Sequence, residues 1–153
     1  HFHGAAAVDV NGRVWTMGGT EGGESGMGNI DYYATPQKIL VDSLGNTFDS
    51  VAVTVAIEQS NGDNLDQNGY LAVKSTGTLW IWGTVGAMLG NGTDNPSQKI
   101  LRPLRINMPG GRLIKQMIGG NYCIALCTDE TVWTWGNVYK ADLGYDPVGL
   151  EYT

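Results

Sequence analysis

Two short stretches carry residue types that could bind a metal ion. His1 and His3 are two residues apart, which would place both imidazoles on one face of a strand, but no Cys or carboxylate ligand lies nearby in the sequence. Asn64, Asp66 and Asn68 match the first half of a calcium-binding loop, although the twelfth position of that loop is Ser where calcium loops have a bidentate Glu. The sequence therefore predicts no metal site.

The thiols and imidazoles do not form a catalytic set. Cys123 and Cys127 would lie about 13 Å apart on one strand, too far for a disulfide bond. We expect two buried free thiols, which favour an intracellular or virion-associated protein, as does the lack of a visible signal peptide. Because both His residues lie at the start of the chain, no His general base is expected. The sequence predicts a protein that is not an enzyme and uses no cofactor.

The glycine-rich and charged segments argue against nucleic-acid and membrane binding. A phosphate-binding loop needs a following helix and usually a Lys, whereas residues 18–28 contain Glu21 and Glu24 and precede a predicted strand. We interpret this segment as a loop between strands. The net charge of −6 and the lack of any run of Lys or Arg argue against a nucleic-acid partner. No stretch approaches the ~20 apolar residues that a membrane-spanning helix needs.

All of these segments are arranged around a hairpin sequence of twelve residues that occurs three times, at 7–18, 72–83 and 125–136. Each copy has two β-prone apolar runs around a small polar turn, which predicts a β-hairpin. The copies align without a gap, at offsets of 65 and 53 residues, and self-similarity at about this period is typical of propellers and solenoids. The shared positions predict the structural core of the repeat: Trp15, Gly18, Trp80, Trp82, Gly83, Trp133, Trp135 and Gly136.

Each hairpin belongs to a longer unit of about four short strands. Pro36 and Pro103 each precede an apolar strand, and an alternating strand at 114–120 leads into the third hairpin. The segment 60–69, with the sequence SNGDNLDQNG, lengthens the spacing between the first two hairpins. Because it is long, polar and acidic, we predict that it is an inserted surface loop.

These residues resemble the repeat of the regulator of chromosome condensation family, whose pattern is G-G-x-H-x-x-A-L-x-x-x-G-x-V-Y-x-W-G-x-N-x-x-G-Q-L-G. The third copy matches it at 119–122, 125–126, 132–136 and 143–144. Tyr122 and Gly69 stand where the family has His, so the chain resembles a divergent member. The resemblance implies an all-β fold of β-propeller blades, each a four-stranded antiparallel sheet. It also implies about two full and one or two partial repeats, in a single domain over 1–153.

Three blades stacked in an open row would leave two sheet faces uncovered, because a blade cannot bury its faces alone. We therefore expect further blades in a longer parent chain, or closure by a partner or by other copies of this chain in a homo-oligomer. Within the stack, Trp15, Trp80 and Trp133 are expected to be mostly buried between blades.

The absence of catalytic residues favours a module that binds another protein, or that forms a structural part of a larger assembly such as a scaffold or a virion. The resemblance implies one alternative, guanine-nucleotide exchange on a small GTPase. Exposed aromatic residues would instead indicate a propeller that recognises a glycan or a host receptor. The residues predicted to contact a partner lie in the inserted loop and in a pair of neighbouring tyrosines: Asp63, Asn64, Asp66, Asn68, Tyr32 and Tyr33.

Overall fold

A computed structural model of the protein describes residues 4–19, 22–60, 66–90 and 98–136. Within these ranges the chain forms ten β-strands: β1 (Gly4–Val8), β2 (Val14–Gly18), β3 (Tyr33–Lys38), β4 (Val51–Ser60), β5 (Asp66–Lys74), β6 (Leu79–Thr84), β7 (Lys99–Ile106), β8 (Ile114–Ile118), β9 (Tyr122–Cys127) and β10 (Val132–Gly136). Two 3₁₀ turns, Gly86–Leu89 and Pro109–Gly111, are the helical elements of the described residues. The strands form three antiparallel sheets, which we call blade 1 (β1–β2–β3), blade 2 (β4–β5–β6–β7) and blade 3 (β8–β9–β10).

The three predicted hairpins are present and have the same register. They are formed by β1 and β2, by β5 and β6, and by β9 and β10. In blade 2 the hairpin supplies the two central strands of a four-stranded sheet, as predicted. In each hairpin an Ala lies directly opposite the first shared Trp: Ala7 with Trp15, Ala72 with Trp80, and Ala125 with Trp133.

The last strands of blades 1 and 2, β3 and β7, are edge strands that contain a proline. Pro36 lies within β3 and Pro103 within β7, at positions where the missing N–H removes no hydrogen bond of the sheet interior. Two loops of blade 1 lie against β7. The backbone N–H of Gly28 donates to the carbonyl of Leu101 (2.7 Å), and that of Ser43 donates to the carbonyl of Pro103 (2.9 Å). These two hydrogen bonds connect blade 1 to the outer strand of blade 2.

The inserted loop is shorter than the sequence predicted. Strands β4 and β5 stay paired up to Ser60 and Asp66, so the predicted loop over 60–69 contributes residues 66–69 to β5, and residues 61–65 lie outside the described residues. Strand pairing uses backbone groups, so polar side chains do not prevent it. A polar segment can therefore extend a hairpin whose register is already fixed by an adjoining apolar segment. Asn68, predicted to lie on the loop surface, is buried on β5 with 5% of its surface exposed.

The hydrophobic core lies between successive blades. We call the side of each blade that faces the preceding blade its leading face and the other side its trailing face. In blade 2 both faces are buried, and every residue of β6 is buried. Strands that are apolar on both sides are expected when a sheet is covered on both faces. The leading face carries Tyr70, Ala72, Trp80 and Trp82, and the trailing face carries Leu71, Val73, Leu79 and Ile81, all with at most 8% exposure.

The turns of the first two hairpins are hydrogen-bonded to the next blade. The carbonyl of Gly12 accepts from the N–H of Val51 (2.9 Å), and the carbonyl of Gly77 accepts from the N–H of Ile114 (2.8 Å). Both glycines have positive φ, 72° and 83°. A Cβ on Gly77 would lie 2.8 Å from the Cβ of Leu113, so this turn needs glycine for conformation and for space.

The third hairpin has Glu130 at the corresponding turn position, and it keeps a positive φ of 64°. A non-glycine residue in this region is conformationally strained, so Glu130→Gly should raise the free energy of unfolding by about 1 kcal/mol, measured by urea denaturation. Glu130 also pairs with Lys115 (2.8 Å), but both side chains are well exposed and such pairs contribute little. Glu130→Gln is the control, because it removes the charge and keeps the strain. A Gln variant as stable as the Gly variant would contradict the strain argument.

Candidate functional site

In blades 2 and 3 the second Trp of the hairpin forms a hydrogen bond to a loop of the preceding blade. The Trp82 Nε1–H donates to the carbonyl of Glu24 in blade 1 (3.0 Å), and the Trp135 Nε1–H donates to the carbonyl of Met88 in blade 2 (3.1 Å). A glycine lies against each indole edge, since a Cβ on Gly26 would be 3.0 Å from Trp82 Cδ1 and one on Gly90 would be 3.2 Å from Trp135 Cδ1. We call this repeated arrangement the indole latch.

The latch between blades 1 and 2 is the more deeply buried of the two. Trp82 is fully buried, stacks on Tyr70 with ring centroids 5.5 Å apart, and meets Phe48 edge to face at 6.0 Å. Burial and the nearby charge of Glu24 raise the pKa of the Tyr70 hydroxyl, so this phenol stays protonated at all ordinary pH values. The aromatic residues and the acid here are therefore part of the packing between blades.

The first Trp of each hairpin is bound within its own blade. Its Nε1–H donates to a residue of the same hairpin, and the bond from Trp15 lowers the pKa of the Asp9 carboxyl. A cationic side chain also lies over each ring, at 4.9 to 5.9 Å from the centroid. The three sets are Trp15 with Asp9 and Lys38, Trp80 with Thr78 and Lys74, and Trp133 with Thr131 and Arg112.

The burial of these rings differs in part from the prediction. Trp80 is buried at 8% exposure, whereas Trp15 and Trp133 are half-buried. Trp15 lies on the leading face of blade 1, against which no other described blade packs. All five indole N–H groups of the chain are nevertheless bound to its own oxygen atoms, and no Trp is exposed. The tryptophans thus give the glycan-binding alternative little support, although three of the five rings, those of Trp15, Trp133 and Trp135, are half-buried rather than buried.

Those residues predicted to contact a partner that the structure describes differ in exposure. Tyr32 is 68% exposed, but Tyr33 is half-buried and its hydroxyl is hydrogen-bonded to the amide side chain of Asn29 (2.8 Å). Asp66 belongs to β5, and Asn68 is buried on the same strand. Of the predicted loop residues, Asp63 and Asn64 lie outside the described residues.

The structure shows four exposed apolar side chains on the two loops that flank β3, and we call them the rim patch: Ile30, Tyr32, Leu40 and Leu44. Their exposed fractions are 52%, 68%, 59% and 84%. Each of these two loops is hydrogen-bonded to β7, the first at Leu101 and the second at Pro103. Both loops therefore contact the outer strand of blade 2, one from each end of β3. Sequence reasoning found only Tyr32, because isolated apolar residues in loops give no periodic signal.

A buried carboxylate fixes the conformation of the second of these loops. Asp42, 2% exposed, accepts hydrogen bonds from the backbone N–H groups of Leu44 (2.8 Å) and Asn46 (3.0 Å). This is the side-chain turn that Asp commonly forms with the backbone two residues on. Leu44 is therefore held outward by the turn, and its exposure is a property of a defined loop.

Catalytic and metal chemistry have little support in the described ranges. No three His, Cys, Asp or Glu side chains in them come together as metal ligands would. Cys123 and Cys127 are free and fully buried on the leading face of blade 3. None of the described helical turns has the length and apolar character of a transmembrane helix.

Burial raises the pKa of the Cys123 thiol to about 12, so it is protonated in the fold at neutral pH. We expect alkylation by iodoacetamide at pH 8 to be at least tenfold slower for the folded chain than in urea, by mass spectrometry, because the thiolate is the reactive form. Since the folded pKa exceeds the unfolded value, this group favours folding below about pH 9 and loses that contribution as the pH rises toward 12. Rapid modification of the folded chain would contradict the buried position.

Comparison with known proteins connects this architecture to a repeat fold. No protein-family model matches the sequence. The chain is 30% identical over 134 residues to the human E3 ubiquitin-protein ligase HERC2, and 29% identical to the mouse protein. Each alignment covers 86% of this chain and 2% of the relative, so the chain spans a very small part of those proteins.

Solved structures agree on the fold. Human WBSCR16 superposes with a TM-score of 0.65 at 23% identity, over 88% of this chain and 31% of that protein. Prp20p from Saccharomyces cerevisiae superposes with a TM-score of 0.58 at 20% identity, over 94% of this chain and 32% of that protein. A second structure of yeast RCC1 (Prp20), bound to Kap60, gives a TM-score of 0.53 at 20% identity. The three sheets are therefore β-propeller blades, and the chain spans about a third of these propellers.

Proposed function

Since this chain is built of repeats of the regulator of chromosome condensation family, we propose that it is a non-catalytic propeller module that binds another protein through its rim patch. The observation that supports the proposal is the set of four large apolar side chains, each more than half exposed, on the two loops that flank β3 and contact β7. Loops held by a rigid scaffold are where such proteins commonly bind partners.

The conformation of the rim patch supports a binding role. The Asp42 turn and the bond from Ser43 to Pro103 hold Leu44 in place before any partner arrives. A preorganised loop loses less conformational entropy on binding than a flexible one, so more of the contact energy appears as affinity. Tyr32 adds a large ring with a polar end, the kind of side chain that often dominates a protein interface.

The relatives support a protein partner in general terms. The yeast protein Prp20p is described with binding properties to Gsp1p and histones, and another structure shows it bound to Kap60. Those partners belong to the yeast protein. For this chain we propose only that the partner is a protein. That partner could belong to a larger assembly, such as a scaffold or a virion, in which this module has a structural role.

Guanine-nucleotide exchange is the alternative that the resemblance raises. Its support is the fold shared with Prp20p. A small GTPase loaded with a fluorescent nucleotide tests it. Faster release of nucleotide in the presence of the chain would favour exchange, and release at the intrinsic rate would leave the binding module as the better explanation.

The rim patch is tested by two surface substitutions and a matched control. Leu44→Asp and Tyr32→Ala change exposed side chains, and Val10→Asp changes an exposed apolar residue on a hairpin turn outside the patch. Quantitative affinity purification from the source organism is expected to recover at least one protein that both patch variants lose by tenfold or more and Val10→Asp retains. If all three variants recover the same proteins as the unchanged chain, the rim patch is not the binding surface.

A further inference from the structure

A half-buried arginine lies beside the first loop of the rim patch. The guanidinium group of Arg102, on β7, packs face-on against Gly28, because a Cβ on Gly28 would lie 2.5 Å from Nη2 and 2.6 Å from both Cζ and Nε. Gly28 precedes Ile30 by two residues, so the Cα atoms of these two residues are at most about 7 Å apart. The cation of Arg102 therefore borders the rim patch.

This guanidinium forms no hydrogen bond or ion pair with any residue that the structure describes. The acidic residue of the adjoining loop, Asp31, instead accepts a hydrogen bond from the side-chain amide of Asn29 (2.8 Å). Arg112 shows the contrasting case, since it is paired with the Asp129 carboxylate (2.8 Å). Arg102 thus has its donors available for a group from outside, although the chain has 15 acidic residues against 9 basic ones.

We propose that Arg102 binds a carboxylate of the partner, from an Asp or Glu side chain next to the apolar residue that contacts the rim patch. This inference rests on the proposed function. A planar guanidinium forms two parallel hydrogen bonds with a carboxylate, which a single point charge does not. The contact with Gly28 holds the group in position before binding, so less side-chain entropy is lost when the pair forms.

The surrounding charge favours a carboxylate over a phosphate. The Asp31 side chain is exposed in the same loop, and the protein as a whole has a net charge of −6. A phosphate carries nearly two negative charges at neutral pH, so it is repelled more strongly than a singly charged carboxylate. The partner segment is therefore expected to combine one acidic residue with an aromatic or aliphatic neighbour.

A peptide selection followed by a double-mutant cycle tests the contact. Peptides are selected from a phage-displayed random library on the unchanged chain, and those lost with Tyr32→Ala are synthesised for fluorescence anisotropy. We expect each to contain an Asp or Glu close to an apolar residue. Arg102→Gln, or exchange of that acid for its amide, should weaken binding about tenfold. Both changes together should weaken binding no more than either alone, because they remove the same contact.

Two further substitutions are the controls. Arg105→Gln changes an exposed arginine of the same strand and should alter the affinity by less than about twofold. Arg102→Lys keeps the charge but not the paired donors, so it should recover only part of the affinity that Arg102→Gln loses. Circular dichroism verifies that each variant is folded.

The results separate this inference from the proposed function. Peptides that need Tyr32 but not Arg102, or for which Arg102 and the acid act independently, would overturn the carboxylate contact and leave the rim patch as a binding surface. Tighter binding of a peptide with phosphoserine in place of the acid would also overturn it. If every selected peptide still binds Tyr32→Ala and Leu44→Asp, the rim patch is not the binding surface and both proposals fail.

Discussion

Replacing Gly83 by alanine is expected to reduce the free energy of unfolding by about 4 kcal/mol. Gly83 has a φ of 104°, a conformation that side chains rarely adopt. A Cβ there would lie 2.5 Å from the carbonyl oxygen of Asn68 and 2.5 Å from the Cα of Gly69. These are backbone atoms of the paired strand β5, so the sheet itself would have to move.

The contribution of the clash can be separated from that of the backbone conformation. Gly45 also has a positive φ, 85°, but a Cβ there would have no heavy atom within 4 Å. Gly45→Ala should therefore lower the free energy of unfolding by about 1 kcal/mol, the contribution of the backbone conformation alone. Urea denaturation followed by circular dichroism measures both variants. Equal losses for the two would mean that strand β5 adjusts freely, and would contradict the close backbone contact.

Removing the hydrogen bond of the indole latch is the second change expected to have a large effect on stability. We expect Trp82→Phe to lower the free energy of unfolding by about 3 kcal/mol. The smaller ring leaves a cavity beside Tyr70 and Phe48, and the carbonyl of Glu24 loses its donor in a buried position. Because the hydrogen bond joins blades 1 and 2, amide exchange in the loop around Glu24 should also become faster.

Trp15→Phe is the matched control for the latch. Trp15 is half-buried, and its Nε1–H donates to Asp9 within the same hairpin (3.0 Å), where water can replace the lost donor. Trp15→Phe should lower the free energy of unfolding by about 1 kcal/mol or less, and it should not change amide exchange in the loop around Glu24. If Trp15→Phe destabilised the chain as much as Trp82→Phe, ring size and not the link between blades would explain both results.

The hairpins could be predicted because their signal is local and repeated. Trp15, Trp80 and Trp133 fall at one position of an aligned pattern, and the β-propeller fold follows from the period of that pattern. Strands were also predicted directly after Pro36 and Pro103; β3 and β7 are present there, but each begins several residues earlier and includes its proline.

What the sequence did not reveal depends on contacts between distant segments. Gly83 could be predicted as a shared position of the repeat, but the reason for a glycine there is its close contact with the backbone of β5, which the sequence does not show. The extension of β5 to Asp66 was missed because its polar side chains suggested a loop, whereas its register with β4 is fixed by the apolar residues further along. The rim patch was missed except for Tyr32, since its members are single apolar residues in two loops, whose exposure depends on how those loops fold against β7.

The outer edge of β7 has a consequence for aggregation. An edge strand with free backbone groups can template strands of other molecules, which is a route to amyloid-like assembly. In β7 the outward carbonyls of Leu101 and Pro103 already accept from Gly28 and Ser43, and Pro103 has no N–H to offer. This edge therefore discourages an added strand, and a protein that binds the rim would have to recognise side chains rather than extend the sheet.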